Sequence, residues 1–116
     1  MSAGRLDRRI QFLRAEKSDN GLNVVDNWDL PGALHGSPVW ASKSDISDGE
    51  RWRAGEVQAH VTTRFTVRWS LFTAGIDPRD RLVCEGETYE IVGAKDGAGR
   101  RRYREFTCAR RSDTGA

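Results

Sequence analysis

The sequence has few cysteines, the residues that stabilise many small proteins through disulfides or bound zinc. Of its 116 residues only Cys84 and Cys108 are cysteines, and neither belongs to a CxxC pair or a cysteine–histidine cluster. A structural zinc site therefore lacks its ligands. Both cysteines lie in strand-like segments, where a thiol usually acts as a small buried hydrophobic group, so we expect reduced thiols rather than a disulfide. A chain of this length with 37% hydrophobic and 31% charged residues has a thin core. Oligomerisation is then the remaining way to supplement that core.

Long apolar runs are absent too. No stretch of about 18 apolar residues offers a membrane span. The opening MSAGRLDRRI lacks the apolar region of an export signal. We expect no membrane association, assembly in the reducing cytoplasm, and a single domain over residues 1–116, since a chain of this length buries one core.

Catalytic and cofactor motifs are also lacking. The sequence contains no nucleophile elbow, glycine-rich phosphate loop or HExxH motif, and nothing pairs His35 or His60 with a nucleophile. Asp45, Asp48 and Glu50 cluster in a loop, but their spacing is not that of an EF-hand, which favours solvated acids over a metal site. We expect no catalytic residue, no cofactor and no bound metal.

Strict alternation is what the sequence does have. Over residues 59–69, apolar positions and Thr63 alternate with His60, Thr62, Arg64, Thr66 and Arg68. This period of two predicts a long antiparallel strand with one polar face. Shorter strands are predicted over 8–14, 39–43, 81–84, 88–92 and 101–110, with a tight hairpin at Gly86.

Three connections separate these strands. Residues 16–38 form a long connection in which 22–28 suit a strand or hairpin arm, and Pro78 makes residues 70–80 a connection. Residues 44–56 form the third, where Ser47 or Asp48 suits the cap of a short helix over 50–54. The sum predicts an all-β fold, a small antiparallel barrel or sandwich of about six strands with long loops and one short helix.

Charge is distributed unevenly along the chain. Residues 1–17 carry five basic and two acidic side chains, residues 18–50 one basic and six acidic, and residues 51–116 thirteen basic and nine acidic. Such contrast suits head-to-tail contact between copies, and it equally fits a mixed solvated surface.

Aromatic and basic residues supply further candidates. We expect Trp40 and Trp69 in the core, whereas Trp28 and Trp52 fit either a subunit interface or local packing. The run containing Arg100, Arg101, Arg102 and Arg104 is of a kind that binds nucleic acid. Strand alternation instead turns Arg102 and Arg104 to the same side as Phe106 and Cys108, leaving only part of the run on one surface.

Three stretches, in order, resemble a known family. They are GRLDRRIQFLR at 4–14, ERWRAGEVQAHVTTRFTVRW at 50–69, and IDPRDRLVCEGETYEIVGAKDGAGRRRYREFTCAR at 76–110. Together they resemble the head-tail joining proteins of tailed bacteriophages, also called head closure or stopper proteins, with relatives in prophages and gene transfer agents. Residues 15–43 lie outside the resemblance.

The resemblance implies a role without catalysis or a cofactor. It implies a small β-barrel in the neck of a virion, forming a sixfold or twelvefold homo-oligomeric ring that retains packaged DNA and docks the tail. Its partners would be portal or adaptor proteins, tail terminator or tail tube proteins, and double-stranded DNA contacted without sequence preference. The loop holding Asp45, Asp48, Glu50, Arg51 and Arg53 is the candidate to face the channel. Trp28, Trp52, Arg100, Arg101 and Arg102 are the candidates for subunit or partner contacts.

Two alternatives remain. Another ring of the same neck, an adaptor or tail-completion ring, is disfavoured by the period-two run, because adaptors tend to be helical. A standalone oligonucleotide-binding barrel needs aromatic side chains on its outer face, and the polar face of the 59–69 strand has none.

Overall fold

The residues that the structure describes form eight strands and one helical turn. A computed structural model describes residues 5–19, 21–22, 24–29, 31–46, 62–97 and 102–111. The elements, in chain order, are β1 (Arg8–Leu13), β2 (Glu16–Asp19), β3 (Val24–Asn27), β4 (Leu34–Asp45), β5 (Thr63–Arg68), α1 (Leu71–Ala74), β6 (Arg81–Cys84), β7 (Glu87–Asp96) and β8 (Tyr103–Arg110). Six strands close an antiparallel barrel in the order β1-β4-β5-β8-β7-β6, and β2 pairs with β3 in a separate sheet. The all-β barrel prediction is confirmed.

The core of the barrel follows from alternation along the strands. Thr63, Phe65 and Val67 of β5 are buried, as the period of two predicts, while residues 59–61 of that pattern lie outside the described ranges. Aromatic rings pack edge to face inside, with centroids 5.0 Å apart for Phe65 and Tyr89 and 5.4 Å for Phe12 and Phe106.

Both thiols belong to this core. Cys84 and Cys108 are buried and free, which confirms the prediction of reduced thiols. Burial raises the pKa of each, because a thiolate is disfavoured away from water. Both are therefore packing groups and poor nucleophiles.

Strand β4 is longer than the sequence suggests. Residues 34–38 were expected in a connection, because glycine and proline punctuate them, but they begin β4. The β1–β4 register jumps from Ile10–Val39 to Phe12–His35, so the extra residues of β4 form a bulge. Pro38 lies in this bulge, where its lack of a backbone N–H donor is tolerated. The side chain of Gln11 donates to the carbonyls of Phe12, His35 and Gly36 and thereby satisfies this irregular backbone.

The assignment of Trp40 to the core is wrong. Its neighbours Val39 and Ala41 face inward, so alternation turns Trp40 outward, where it is 53% exposed. Trp69, just beyond β5, is half-buried. Strand membership alone did not reveal the side of the sheet on which an isolated tryptophan lies.

The connection between β5 and β6 contains the helical turn. Ser70 caps α1: its hydroxyl accepts from the Thr73 N–H at 3.0 Å, and the Thr73 hydroxyl accepts from the Ser70 N–H at 2.8 Å. The helix predicted over 50–54 lies outside the described residues. Ile76, fully buried, and Phe72, packed against the core, close one end of the barrel, and we call residues 70–80 the plug segment.

The β2–β3 hairpin is the part of residues 16–38 that leaves the barrel. Its strands pair from Glu16–Asn27 to Asp19–Val24, which bears out the expected hairpin arm. We call residues 16–29 the arm. Because the barrel is closed, the arm is the described sheet with unpaired edges.

Candidate functional site

The candidate residues lie at opposite ends of the barrel. At the loop end, β4 finishes at Asp45, β5 begins at Thr63, and the two-residue turn Glu85–Gly86 joins β6 to β7. At the arm end, β1 finishes, β4 and β8 begin, and the plug segment closes the barrel. The strand pairings fix this polarity, since Asp45 pairs with Thr63 whereas Leu13 pairs with Leu34.

The predicted channel-facing loop leaves from the loop end. Asp45 is exposed there, and the N–H of Ile46 donates to the Thr62 carbonyl at 3.0 Å, which holds the two described boundaries of the loop together. Asp48, Glu50, Arg51 and Arg53 lie outside the described residues, as does Trp52. Their expected roles stay predictions.

An ion cluster lies at the same end of the barrel. The Glu85 carboxylate bonds Arg8 at 3.1 Å and lies 3.6 Å from the Lys43 ammonium. Burial would lower the pKa of Lys43, but neighbouring Tyr89 and Glu85 outweigh it, so the pKa lies above its ordinary value. The cluster fixes the β6–β7 turn, whose residues Glu85 and Gly86 both have positive φ, as tight hairpins require.

Two arginines hold the plug segment at the arm end. Arg14 and Asp80 lie one step beyond the Leu13–Arg81 pair and form a bidentate contact, with Arg14 Nε 2.7 Å from Oδ1 and the second nitrogen 2.8 Å from Oδ2. That hydrogen bond raises the pKa of Arg14 above its ordinary value against the opposing effect of burial. Arg14 also donates to the Gly75 carbonyl at 3.0 Å.

Arg104 has a structural position within the basic run. It donates to the carbonyls of Thr73, Ala74 and Ile76, at the end of α1 where cations are favoured. It also lies over the Phe106 ring, as strand alternation predicts. Arg102 is exposed, whereas Arg100 and Arg101 lie outside the described residues. The interface roles of these three stay predictions.

Trp28 lies where the arm joins the barrel. The Arg81 guanidinium is 4.0 Å from the centroid of its ring, close enough for a cation–π contact. This is local packing that fixes the base of the arm. A contact with a neighbouring subunit through Trp28 stays a prediction.

Sequence reasoning missed a row of side chains on the outer face of the barrel. Arg9 pairs with Trp40, and its guanidinium lies 4.7 Å from the ring centroid. One step beyond the Ala41–Val67 pair, Trp40 faces Arg68, which in turn pairs with Tyr103. We call Arg9, Trp40, Arg68 and Tyr103 the outer row. Aromatic side chains therefore do flank the polar face of β5, and only the register across four strands reveals them.

His35 gives the arm end a pH dependence. Its ring lies 5.1 Å from that of Phe72. Burial, assisted by the charges of Arg14 and Arg79 and opposed by Asp80, lowers its pKa below the ordinary 6.5. The folded state thus favours the neutral imidazole, so the unfolded chain takes up this proton first as pH falls.

We expect stability to decline as pH falls through and below about 6.5, with a smaller decline in the His35→Gln variant. Urea unfolding of both proteins at several pH values between about 7.5 and 5.5 measures the two slopes. His60, the other histidine, is present in both proteins, so any contribution that it makes to the pH dependence is common to the two slopes. Equal slopes would show that His35 titrates alike in the folded and unfolded states.

Comparison with known proteins decides the family. The sequence profile of the phage head completion proteins matches residues 1–111. The chain belongs to this family. No curated protein matches the chain. The solution structure of protein SF1141 from Shigella flexneri 2a is similar with a TM-score of 0.75 and 22% identity, covering 98% of this chain and 100% of that one. A chain from the virion of the native gene transfer agent particle has a TM-score of 0.55 and 18% identity, covering 92% and 96%.

Membership gives the function at a coarse level. At these identities the two structures show a shared fold, and the family match identifies this head completion protein as a structural, head-associated component of a virion. The family is not one of enzymes. Over the ranges that the structure describes, no three histidine, cysteine or acidic side chains converge as metal ligands would. Those ranges contain no helix with the length and apolar character needed to cross a membrane.

Proposed function

We propose that this head completion protein forms a ring in the virion neck, between the portal or adaptor and the tail. The observation that carries the proposal is the family match over nearly the whole chain. The subunit would act as one domain, residues 1–116, in a sixfold or twelvefold homo-oligomer. It would retain packaged double-stranded DNA and dock the tail terminator or tail tube.

The polarity of the barrel supports a ring component. A closed barrel leaves no sheet edge for strand pairing between copies, so pairing of that kind must come from parts outside the barrel. The arm and the long loop leave from opposite ends of the barrel, which allows one end to meet neighbours or the tail while the other meets the channel. Subunits of a closed ring present the same two surfaces at every interface.

The long loop remains our candidate for the channel. Asp45, Asp48 and Glu50 would repel DNA phosphates, whereas Arg51 and Arg53 would attract them, so the loop would make charge contacts without reading sequence. At the same end of the barrel, Glu85 pairs with both Arg8 and Lys43, and this cluster fixes the β6–β7 turn. No cofactor enters this function.

Particle assembly tests the proposal. Heads produced without the protein should fill with DNA, lose it and remain tailless, and supplying the protein in trans should restore both properties. A variant lacking residues 47–50, which leaves β4 and the Ile46–Thr62 hydrogen bond in place, should attach tails but leak DNA. DNA protected from nuclease and negative-stain counts of tailed particles measure the two effects. Tailed, DNA-filled particles in the absence of the protein would contradict the proposal.

The outer row is the observation that favours a second candidate, an oligonucleotide-binding barrel. Trp40 is flanked by Arg9 and Arg68, and aromatic rings beside arginines stack on bases while binding phosphates. Binding of short single strands by the isolated protein, weakening with added salt, would support this function. Another ring of the same neck, an adaptor or tail-completion ring, stays a further alternative.

A further inference from the structure

The arm is a sheet that lacks a covering surface. A two-stranded hairpin alone is marginally stable in water. Val24 and Val25 are neighbours on β3, so they lie on opposite faces of the ribbon, and they are 61% and 39% exposed. These exposures show that the arm does not fold back onto its own barrel. Its base is fixed by the Trp28–Arg81 contact and by the Glu16 side chain lying against Gly32.

The arm also carries an excess of acidic residues. Four of its residues are acidic and one is basic: Glu16, Asp19, Asp26, Asp29 and Lys17. Lys17 bonds Asp26, which leaves an acidic excess on a ribbon that exposes two valines. A surface that covers this arm should therefore be both apolar and basic.

The outer row is a surface that is both apolar and basic. Trp40, 53% exposed, supplies a broad apolar surface between the arginines Arg9 and Arg68, both exposed. Ser42, two positions along β4 on the same outer face, is small enough to let a ribbon approach. Arm and outer row thus complement each other in apolar area and in charge.

We propose that the arm of one subunit packs on the outer row of the next, with Val24, the more exposed of the two valines, against Trp40 and the acidic residues of the arm beside Arg9 and Arg68. The inference rests on the ring assembly proposed above and names the contact that builds it. The contact is heterologous, since one surface of each copy meets a different surface of the next, and such contacts form a ring when the rotation between copies closes. It also buries a tryptophan and arginines, the residue types that dominate interface energies.

Site-directed crosslinking between two kinds of subunit tests the contact. Full-length Val24→Cys protein is mixed with full-length Ser42→Cys protein on portal complexes, then oxidised or treated with a flexible bis-maleimide. Because each subunit carries one new cysteine and Cys84 and Cys108 are buried, a crosslinked arm and barrel must come from different copies. We expect covalent dimers. Val24→Cys mixed with Glu90→Cys, on the exposed face of β7, is the matched control and should give none.

A second variant measures the energy of the contact. Trp40→Ala should weaken the affinity between subunits by roughly tenfold or more, as removal of an interface anchor does. It should leave the melting temperature of the isolated subunit nearly unchanged, because the Trp40 side chain lies on the outer surface of the barrel. Leu71→Ala, which removes another exposed apolar side chain, should leave the ring intact.

The outcomes separate this contact from the proposed function. If the unmodified protein forms no ring on the portal, the proposed function fails. If it forms rings but neither crosslinker yields dimers above the control, the ring stands and the arm contact is wrong. Rings that persist in Trp40→Ala while DNA is lost would assign the outer row to nucleic acid and overturn the contact.

Discussion

Replacing Asp80 with asparagine should destabilise the protein by about 3 kcal/mol, a large part of the stability of a small domain. The Asp80 side chain is fully buried and accepts three hydrogen bonds: two from Arg14 and one from the Asp77 N–H at 3.1 Å. Asparagine replaces one of the two accepting carboxylate oxygens with an NH2 group. That NH2 group would then face an N–H of Arg14 or of Asp77, with no acceptor between them. The substitution also leaves the Arg14 charge partly buried without its partner.

Thermal and urea unfolding measure this effect. A loss of this size corresponds to a fall in Tm of roughly 12–24 °C for a domain of about 100 residues. Asp26→Asn is the matched control, because the Lys17–Asp26 pair on the arm is exposed and should contribute less than about 1 kcal/mol. If Asp80→Asn costs no more than this control, the clamp on the plug segment does not stabilise the barrel.

The Gly36→Ala variant should lose about 2–4 kcal/mol. Gly36 has a φ of +71°, and a Cβ built there would overlap Cζ of Phe72. Phe72 packs edge to face on Phe12 at 5.9 Å and contacts His35, so its displacement disturbs the fit of the plug segment against the core. Backbone strain and steric overlap therefore add at this position.

Gly86→Ala separates the two causes. Gly86 has a φ of +81° but no neighbouring atom within 4 Å of its built Cβ, so that variant carries the strain alone, about 1–2 kcal/mol. Urea unfolding of both variants gives the difference. Equal losses would mean that Phe72 moves away without cost and that the plug segment is loosely seated.

The sequence predicted the parts of the barrel that depend on local patterns. Alternation identified the buried face of β5, and CEGETY identified the turn at Gly86, because a period of two and a tight hairpin are properties of consecutive residues. Alternation also placed Arg104 on the side of Phe106. These predictions needed no knowledge of strand pairing.

The features that were missed depend on long-range pairing. Arg14 and Asp80 meet because β1 pairs with β6, and nothing near either residue indicates the other. Gly36 and Pro38 are typical of a loop, yet a bulge accommodates both inside β4. Trp40 became visible as a surface residue only when the β4 register was known. The outer row, assembled from β1, β4, β5 and β8, is therefore the candidate surface that single-strand patterns could not indicate.

The arm exposes groups that a neighbouring subunit would cover. Its valines and acidic residues would be a liability on a monomer, since exposed apolar ribbons with open edges invite unwanted pairing. Coverage by a neighbouring subunit removes that liability. A thin-cored barrel would thereby gain stability from assembly.

The mass of the purified protein, alone and after mixing with the portal complex from the same gene cluster, tests the central claim most directly. Light scattering gives the mass, and negative-stain imaging shows where the protein binds. We predict a ring seated on the portal, whose mass gives a whole, symmetric number of subunits. A protein that stays monomeric and shows no affinity for the portal would contradict the account.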